Sequence, residues 1–179
     1  MSTIFQSQSG QIELILGNIV EQNVDAIVNA ANTKLKGGGG VDGAIHRAAG
    51  STLLEECLAL PIDERGQRCP TGEARITSAG NLSAKYVIHT VGPFFNQKYY
   101  DKSVSLLEKA YLSSLILAND RKCRSIAFPS ISTGAYRFPI EAAAKIALQT
   151  TIDFLQKETS IELVQSGVNR PMIESSSSK

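Results

Sequence analysis

Four consecutive glycines, Gly37, Gly38, Gly39 and Gly40, separate an apolar run from a stretch of helical periodicity. No other feature restricts this chain so tightly. Without a Cβ over that span, backbone N–H groups can approach a ligand closely. The run before them, residues 26–31, is almost unbroken in its apolar character and reads as a buried strand. Val41, Asp42 and Gly43 follow and lead into a helix, whose first N–H groups lack intrahelical partners and carry the positive end of its dipole. Strand, glycine loop and helix N-terminus together form an anion-holding arrangement of the kind that binds phosphate.

Two familiar glycine motifs fail on context. Gly38, Gly40 and Gly43 satisfy G-x-G-x-x-G, but residues 32–37 intervene where a dinucleotide site needs a tight turn. No acidic residue ends a second strand about 20 residues further on, because Asp63 and Glu64 fall in a Pro- and Gly-containing loop. No Lys-Ser/Thr pair follows the glycines, so the Walker-type phosphate loop is excluded as well.

The rest of the chain alternates between strand and helix signals. Residues 11–16, 74–79, 86–91 and 125–128 read as strands, and a further one begins at 161–164. Ile45, Ala48, Ala49, Leu53, Cys57 and Leu60 recur at helical spacing and predict one helix over 43–60. A second helix is expected over 101–119, with Val104, Leu107, Tyr111, Leu115 and Ala118 inward. A third starts at Pro139 and ends near Lys157, with Ile140, Ala143, Ala144, Ala147, Leu148 and Leu155 as its buried stripe. Such alternation argues for an α/β sandwich with a largely parallel sheet covered on both faces. Residues 1–10 are read as a polar N-terminal tail, 11–164 as a single domain, and 165–179, ending in four serines and a lysine, as an atypical polar tail.

Composition narrows the possible partners. At 179 residues, 42% hydrophobic and 20% charged, the chain belongs with soluble globular proteins. Its net charge of +1 gives no bulk attraction to nucleic acid or anionic membrane, so a bound anion must be held by local geometry. No segment is apolar enough to span a bilayer, and residues 1–10 lack the features of a secretory signal. Cys57, Cys69 and Cys123 suit a reducing compartment and no CxxC metal site, and the expected location is the cytoplasm. His46 and His89 have no metal-ligand spacing, and His89, inside a strand, is expected to be a hydrogen-bonded structural histidine.

Three groups of residues carry candidate chemistry, each beside a plainer role. Asn29 and Asn32 suit strand ends because asparagine tolerates left-handed backbone, yet an amide in a cleft also offers a donor and an acceptor to a sugar diol. Asp42 suits a helix cap, yet a carboxylate beside an anion-cradling loop makes more sense facing a hydroxyl, an ester or a water. The loop at 129–139 lies between a strand and a helix, as the glycine loop does. It supplies either a simple connection or a second wall of N–H groups, from Ser132, Thr133, Gly134, Ala135 and Tyr136.

Residues 25–32 (DAIVNAAN), 37–46 (GGGGVDGAIH), 86–93 (YVIHTVGP) and 131–136 (ISTGAY) together resemble a macrodomain, and within that family the MacroD-type ADP-ribose hydrolases and O-acetyl-ADP-ribose deacetylases. The resemblance runs from about residue 11 to residue 164. It implies a three-layer α/β/α sandwich around a mixed, largely parallel sheet. It further implies a ligand that is ADP-ribose, its O-acyl esters or a mono-ADP-ribosylated protein, with no metal or redox cofactor. By the same resemblance Asn32 holds the distal ribose hydroxyls and Asp42 is the acidic residue at the scissile bond. Gly38, Gly39, Gly40 and Val41, with Ser132 to Tyr136, embrace the diphosphate, and Asn18 and Ile19 lie at the adenine. The expected activity is hydrolysis of ADP-ribose esters by water attack at the distal ribose. A non-catalytic ADP-ribose reader is the alternative; a phosphatase of ADP-ribose 1″-phosphate and a nicotinamide dehydrogenase stand further off.

Two departures from the family pattern stand out. Where the family usually has Gly-Asp-Ile-Thr, this chain has Gly17, Asn18, Ile19 and Val20, so an uncharged amide replaces the aspartate expected to accept from the adenine amine. After residue 164 the family's apolar strand, acidic turn and closing helix are replaced by QSGVNRPMIESSSSK.

Overall fold

The computed structural model describes residues 2–168. Seven strands, β1 (Ser2–Gln6), β2 (Gln11–Ile15), β3 (Ala26–Ala30), β4 (Ala74–Ser78), β5 (Tyr86–Thr90), β6 (Ser125–Ala127) and β7 (Leu163–Ser166), form one sheet in the order β1-β2-β7-β6-β3-β5-β4. The five central strands are mutually parallel, and β1 and β4 run antiparallel at the two edges. The sheet is therefore mixed but largely parallel, as expected.

Period-two alternation divides the side chains between two helical layers. Val28 and Ile88 point to the face covered by α3 (Tyr100–Asp120) and α4 (Ile140–Leu155), where they join Leu107, Leu115 and Ala147. Ile27 and Val87 point to the other face, packing with Ile45 of α1 (Gly40–Ala49) and Leu53 of α2 (Ser51–Ala59). The result is a three-layer α/β/α sandwich. Among the described residues no helix is long and apolar enough to cross a membrane.

Several local expectations are corrected. The single helix over 43–60 is two helices, because Gly50 adopts a left-handed backbone (φ 85°) that ends α1 and lets the chain turn into α2. Ile140 and Ala144 are exposed; the buried stripe of α4 is Ala143, Ala147, Thr151 and Leu155, a strict i, i+4 row. Within the expected N-terminal tail, residues 2–6 form edge strand β1, registered from Ser2↔Ile15 to Gln6↔Gln11. With Ile4 and Phe5 largely exposed, this strand has no buried face to leave a pattern in the sequence. At the other end β7 runs on through Gln165 and Ser166, and Val168 is fully buried beside Ile19 and Ile27. The remainder of the expected polar tail, residues 169–179, lies outside the described residues.

Candidate functional site

All the candidate residues lie at one end of the strands, because the parallel strands point their carboxyl ends the same way. The loop after β2 brings Asn18 and Ile19, that after β3 the glycines, that after β5 Gly92 and Phe94, and that after β6 Ser132 to Tyr136. Neighbouring strands β3 and β6 feed helices on opposite faces, α1 and α4. Such a switch point opens a crevice beyond the strand ends, which is where α/β sheets bind ligands. An open concavity of about 730 Å³ near the other end of the sheet, lined by Phe5, Ile12 and Ile152, holds none of these residues.

The first wall is the glycine loop. Gly39 caps α1, so the N–H groups of Gly40, Val41 and Asp42 have no partner within the helix. Gly40 has a left-handed backbone (φ 59°), and a Cβ at Gly39 or Gly40 would meet no atom within 4 Å. Packing therefore does not explain those two glycines, and the open space in front of them suits a ligand. Gly43 is different. A Cβ there would sit 2.5 Å from the Gly38 carbonyl, so this glycine lets the loop lie down on its helix.

The second wall is the loop at 129–138. Ser132 (φ 68°) and Arg137 (φ 61°) are left-handed, and the Ser132 and Gly134 carbonyls accept from the N–H groups of Phe138 and Arg137. With those carbonyls turned into the loop, what it has to offer an anion is N–H groups. Gly92, after β5, allows its close approach: a Cβ there would collide with Ser132 Oγ and lie 2.5 Å from Ile131 Cγ2. Tyr136 is anchored at the rim, where its carbonyl accepts from Phe95 N–H (2.8 Å) and its ring lies 3.8 Å from that of the exposed Phe94. Burial and the nearby Asp42 carboxylate both raise the pKa of the Tyr136 hydroxyl.

Between the walls sits Asp42, only 6% exposed. Its Oδ2 lies 3.2 Å and Asn32 Nδ2 3.7 Å from the place a Gly38 Cβ would occupy, so the two candidate catalytic side chains flank the same glycine. Asp42 Oδ1 accepts from Asn29 Nδ2 at 2.8 Å, and His46 Nε2 stands 3.3 Å from it. Burial raises the Asp42 pKa, while the Asn29 hydrogen bond and His46 pull the other way. Asn32 Nδ2 donates to the Gly37 carbonyl at 2.9 Å and fixes the loop entrance. Asn32 Oδ1, Asn29 Oδ1 and Ser132 Oγ are buried and, among the described residues, find no hydrogen-bond partner. Buried polar atoms rarely stay unpaired, so three at one edge mark a place built to meet polar groups of a ligand.

At the far end Asn18 caps a single turn of 3-10 helix (Ile19–Glu21), its Oδ1 accepting from Val20 N–H at 3.3 Å. Ile19 is fully buried with Val24, Ile27 and Ile45, and Val41 packs against the same cluster; what Ile19 can present to a ligand is its backbone. A buttress invisible in the sequence stands behind the entrance. Arg68, 8% exposed, donates to the Lys34 and Leu58 carbonyls, and the N–H groups of Arg68 and Cys69 bind the Thr33 carbonyl. Among the described residues no three His, Cys, Asp or Glu side chains gather as metal ligands.

Known proteins resemble this chain in sequence and in fold. A family model for the Macro domain matches residues 28–147. A Macro domain-containing protein of Caldanaerobacter subterraneus subsp. tengcongensis is 57% identical over 146 residues, 82% of each chain. An O-acetyl-ADP-ribose deacetylase of Citrobacter koseri is 55% identical over 148 residues, 83% of this chain and 82% of its own. The solved Oceanobacillus iheyensis macrodomain with ADP superposes with a TM-score of 0.87 at 46% identity, covering 94% of this chain and 88% of that one.

Proposed function

The chain belongs to the macrodomain family, and on that premise we propose that it binds ADP-ribose and hydrolyses its esters, by water attack at the distal ribose. The substrates are O-acetyl-ADP-ribose and mono-ADP-ribose carried on acidic side chains of proteins. The observation that carries this reading is the place of Asp42: a buried carboxylate beside Asn32, at the helix start whose backbone N–H groups lack intrahelical partners. A module that only binds a diphosphate has no use for a negative charge there. The name borne by the Citrobacter koseri relative and the ADP held by the Oceanobacillus iheyensis macrodomain support the same reading.

In this mechanism the two loops hold the diphosphate through N–H groups, and the unpartnered Asn32 Oδ1 accepts from a distal ribose hydroxyl. Asp42 takes a proton from a water as the water oxygen bonds to the acyl carbon. Collapse of the tetrahedral intermediate breaks the bond to the ribose oxygen, and the proton passes from Asp42 to that oxygen. For ribose linked to a glutamate or aspartate the same water attacks the anomeric carbon, and the side-chain carboxylate leaves. Burial raises the proton affinity of Asp42, which makes it a better base than an exposed carboxylate, while Asn29 and His46 favour its ionised form.

The test measures hydrolysis of O-acetyl-ADP-ribose and of a mono-ADP-ribosylated glutamate protein, by wild type and Asp42→Ala, with ADP-ribose binding followed by calorimetry. Loss of a general base predicts a fall in kcat of about 10²–10⁴-fold with affinity retained. Binding by wild type without turnover would replace this reading with that of a reader module.

A further inference from the structure

A row of polar side chains crosses the face of the sheet that α1 and α2 cover, beside the apolar Ile27 and Val87 that alternation delivers to the same face. Asn29 of β3 and His89 of β5 are register partners, and Thr77 of the next strand, β4, follows on the same face. Asn29 and His89 are fully buried, and Thr77 is 8% exposed. Asn29 Nδ2 is 3.1 Å from His89 Nδ1, and His89 Nε2 is 2.9 Å from Thr77 Oγ1. The Thr77 hydroxyl donates to the Ser78 carbonyl at 3.0 Å, so its oxygen is free to accept, and Nε2 carries the imidazole proton. Nδ1 is then an acceptor, and only the NH₂ end of Asn29 can face it. That amide has two N–H groups, and the second reaches Asp42 Oδ1 at 2.8 Å.

We propose that Asn29 and His89 are positioning residues for Asp42: neutral His89 fixes which way the Asn29 amide points, and the amide holds the carboxylate in register with the scissile bond. If His89 offered no acceptor at Nδ1, only the carboxylate itself would oppose a 180° turn of the amide, which would set an oxygen against Asp42 Oδ1 in place of a donor. Apolar residues of similar shape would fill this face without a desolvation cost, so the row is not explained by packing. Its fixed orientation, with the Asn29 amide donating on one side to His89 and on the other to one carboxylate oxygen, is explained by a need to place that oxygen.

The kinetic consequence rests on the ester-hydrolase reading, but the placement does not. The titratable groups that face Asp42 are His46 on its own helix, His89 on β5 through Asn29, Cys57 on α2 and Tyr136 on the loop after β6. Burial holds His89 neutral down to about pH 3 and pushes the Cys57 thiol up to about 12. His46 and Tyr136 are common to all the variants that follow.

The experiment follows the Asp42 carboxyl through its titration by ¹³C NMR, in wild type, His89→Leu, His89→Asn and Asn29→Leu. The same proteins are assayed for O-acetyl-ADP-ribose turnover and for ADP-ribose affinity. In His89→Leu and Asn29→Leu the Asp42 titration moves to higher pH. Turnover falls about 10- to 100-fold, the effect of slight misplacement, while in His89→Leu, whose side chain lies behind the cleft, the ADP-ribose Kd stays within about threefold. His89→Asn, whose amide oxygen can take the place of Nδ1, returns the titration and kcat toward wild type. Should His89→Leu fail to fold, Asn29→Leu makes the same test from the neighbouring strand. An Asp42 titration unchanged in the two leucine variants, or kcat and affinity falling together with no recovery in His89→Asn, would overturn the proposal. If wild type does not turn over at all, the hydrolase reading falls and the NMR titration still decides the placement.

Discussion

His89 should make the stability of this protein sensitive to mild acid. Burial drives its pKa from 6.5 down to about 3, so the folded protein keeps it neutral while the unfolded chain protonates it as the pH falls below about 6.5. Because the folded pKa is the depressed one, the stability tied to this group is fully present above about pH 6.5 and is lost as the pH falls toward 3. At 1.36 kcal/mol per pH unit, the loss from pH 7 is about 0.7 kcal/mol at pH 6 and about 2 kcal/mol at pH 5. That is a large share of the stability of an ordinary domain. The perturbation that isolates it is His89→Asn, which keeps an acceptor for Asn29 and does not titrate. Asp42 also titrates in acid with the opposite sign, since its folded pKa is raised, but it does so in both proteins. Urea unfolding of wild type and His89→Asn at pH 7, 6 and 5 gives the difference directly. The gap between them should change by about 2 kcal/mol over that range, wild type losing more. Parallel pH dependence would mean that the imidazole accepts a proton inside the fold, and the neutral, acceptor-bearing His89 would have to be given up.

Two further outcomes follow from the site's walls. A Cβ at Gly134 meets nothing within 4 Å, so Gly134→Val should leave stability within about 0.5 kcal/mol of wild type and yet weaken ADP-ribose binding about tenfold or more in calorimetry, because the new side chain fills ligand space. Unchanged affinity would remove this loop from the diphosphate site. Asn18→Asp keeps the cap on Val20 N–H and supplies a charged acceptor, which should tighten ADP-ribose by about 1 kcal/mol, roughly fivefold; no change would place the adenine amine elsewhere.

Much of this molecule was legible because its signals are local. The apolar run at 26–31 and the glycines after it give strand, loop and helix start directly, and β3 with α1 follow closely in the structure. Features set by packing across the sheet left weaker traces. β1 has Ile4 and Phe5 exposed, so no buried face imposes alternation. The break at Gly50 sits within an unbroken helical periodicity, since Ile45 and Ala49 on one side and Leu53 and Cys57 on the other bury the same layer. Asn32, Asp42 and the two loops took their expected roles from the family resemblance, and the structure brings them together beyond the strand ends. Gly92 and Arg68 took none, and His89, expected as a hydrogen-bonded strand histidine and found so, gave no sign of its partners; their meaning lies 40, 34 and 60 residues away, in Ser132 for Gly92, Lys34 for Arg68 and Asn29 for His89.

The distribution of unmet hydrogen bonds connects these observations. Five buried side-chain atoms among the described residues lack a partner, and three of them, Asn29 Oδ1, Asn32 Oδ1 and Ser132 Oγ, belong to the cleft. Each such atom costs about 1–3 kcal/mol, so the cleft weakens the free protein. Asp42 adds to this, its carboxylate removed from water and only partly repaid by Asn29 and His46. The polar row behind it meets every one of its hydrogen bonds except Asn29 Oδ1, the atom at its cleft end. A core selected for stability alone would place its unsatisfied atoms where water reaches them. On the proposed reading they are gathered where a diphosphate and a ribose would supply the missing partners, so that ligand binding and relief of buried polarity become one event, with the sheet behind it holding the carboxylate in place.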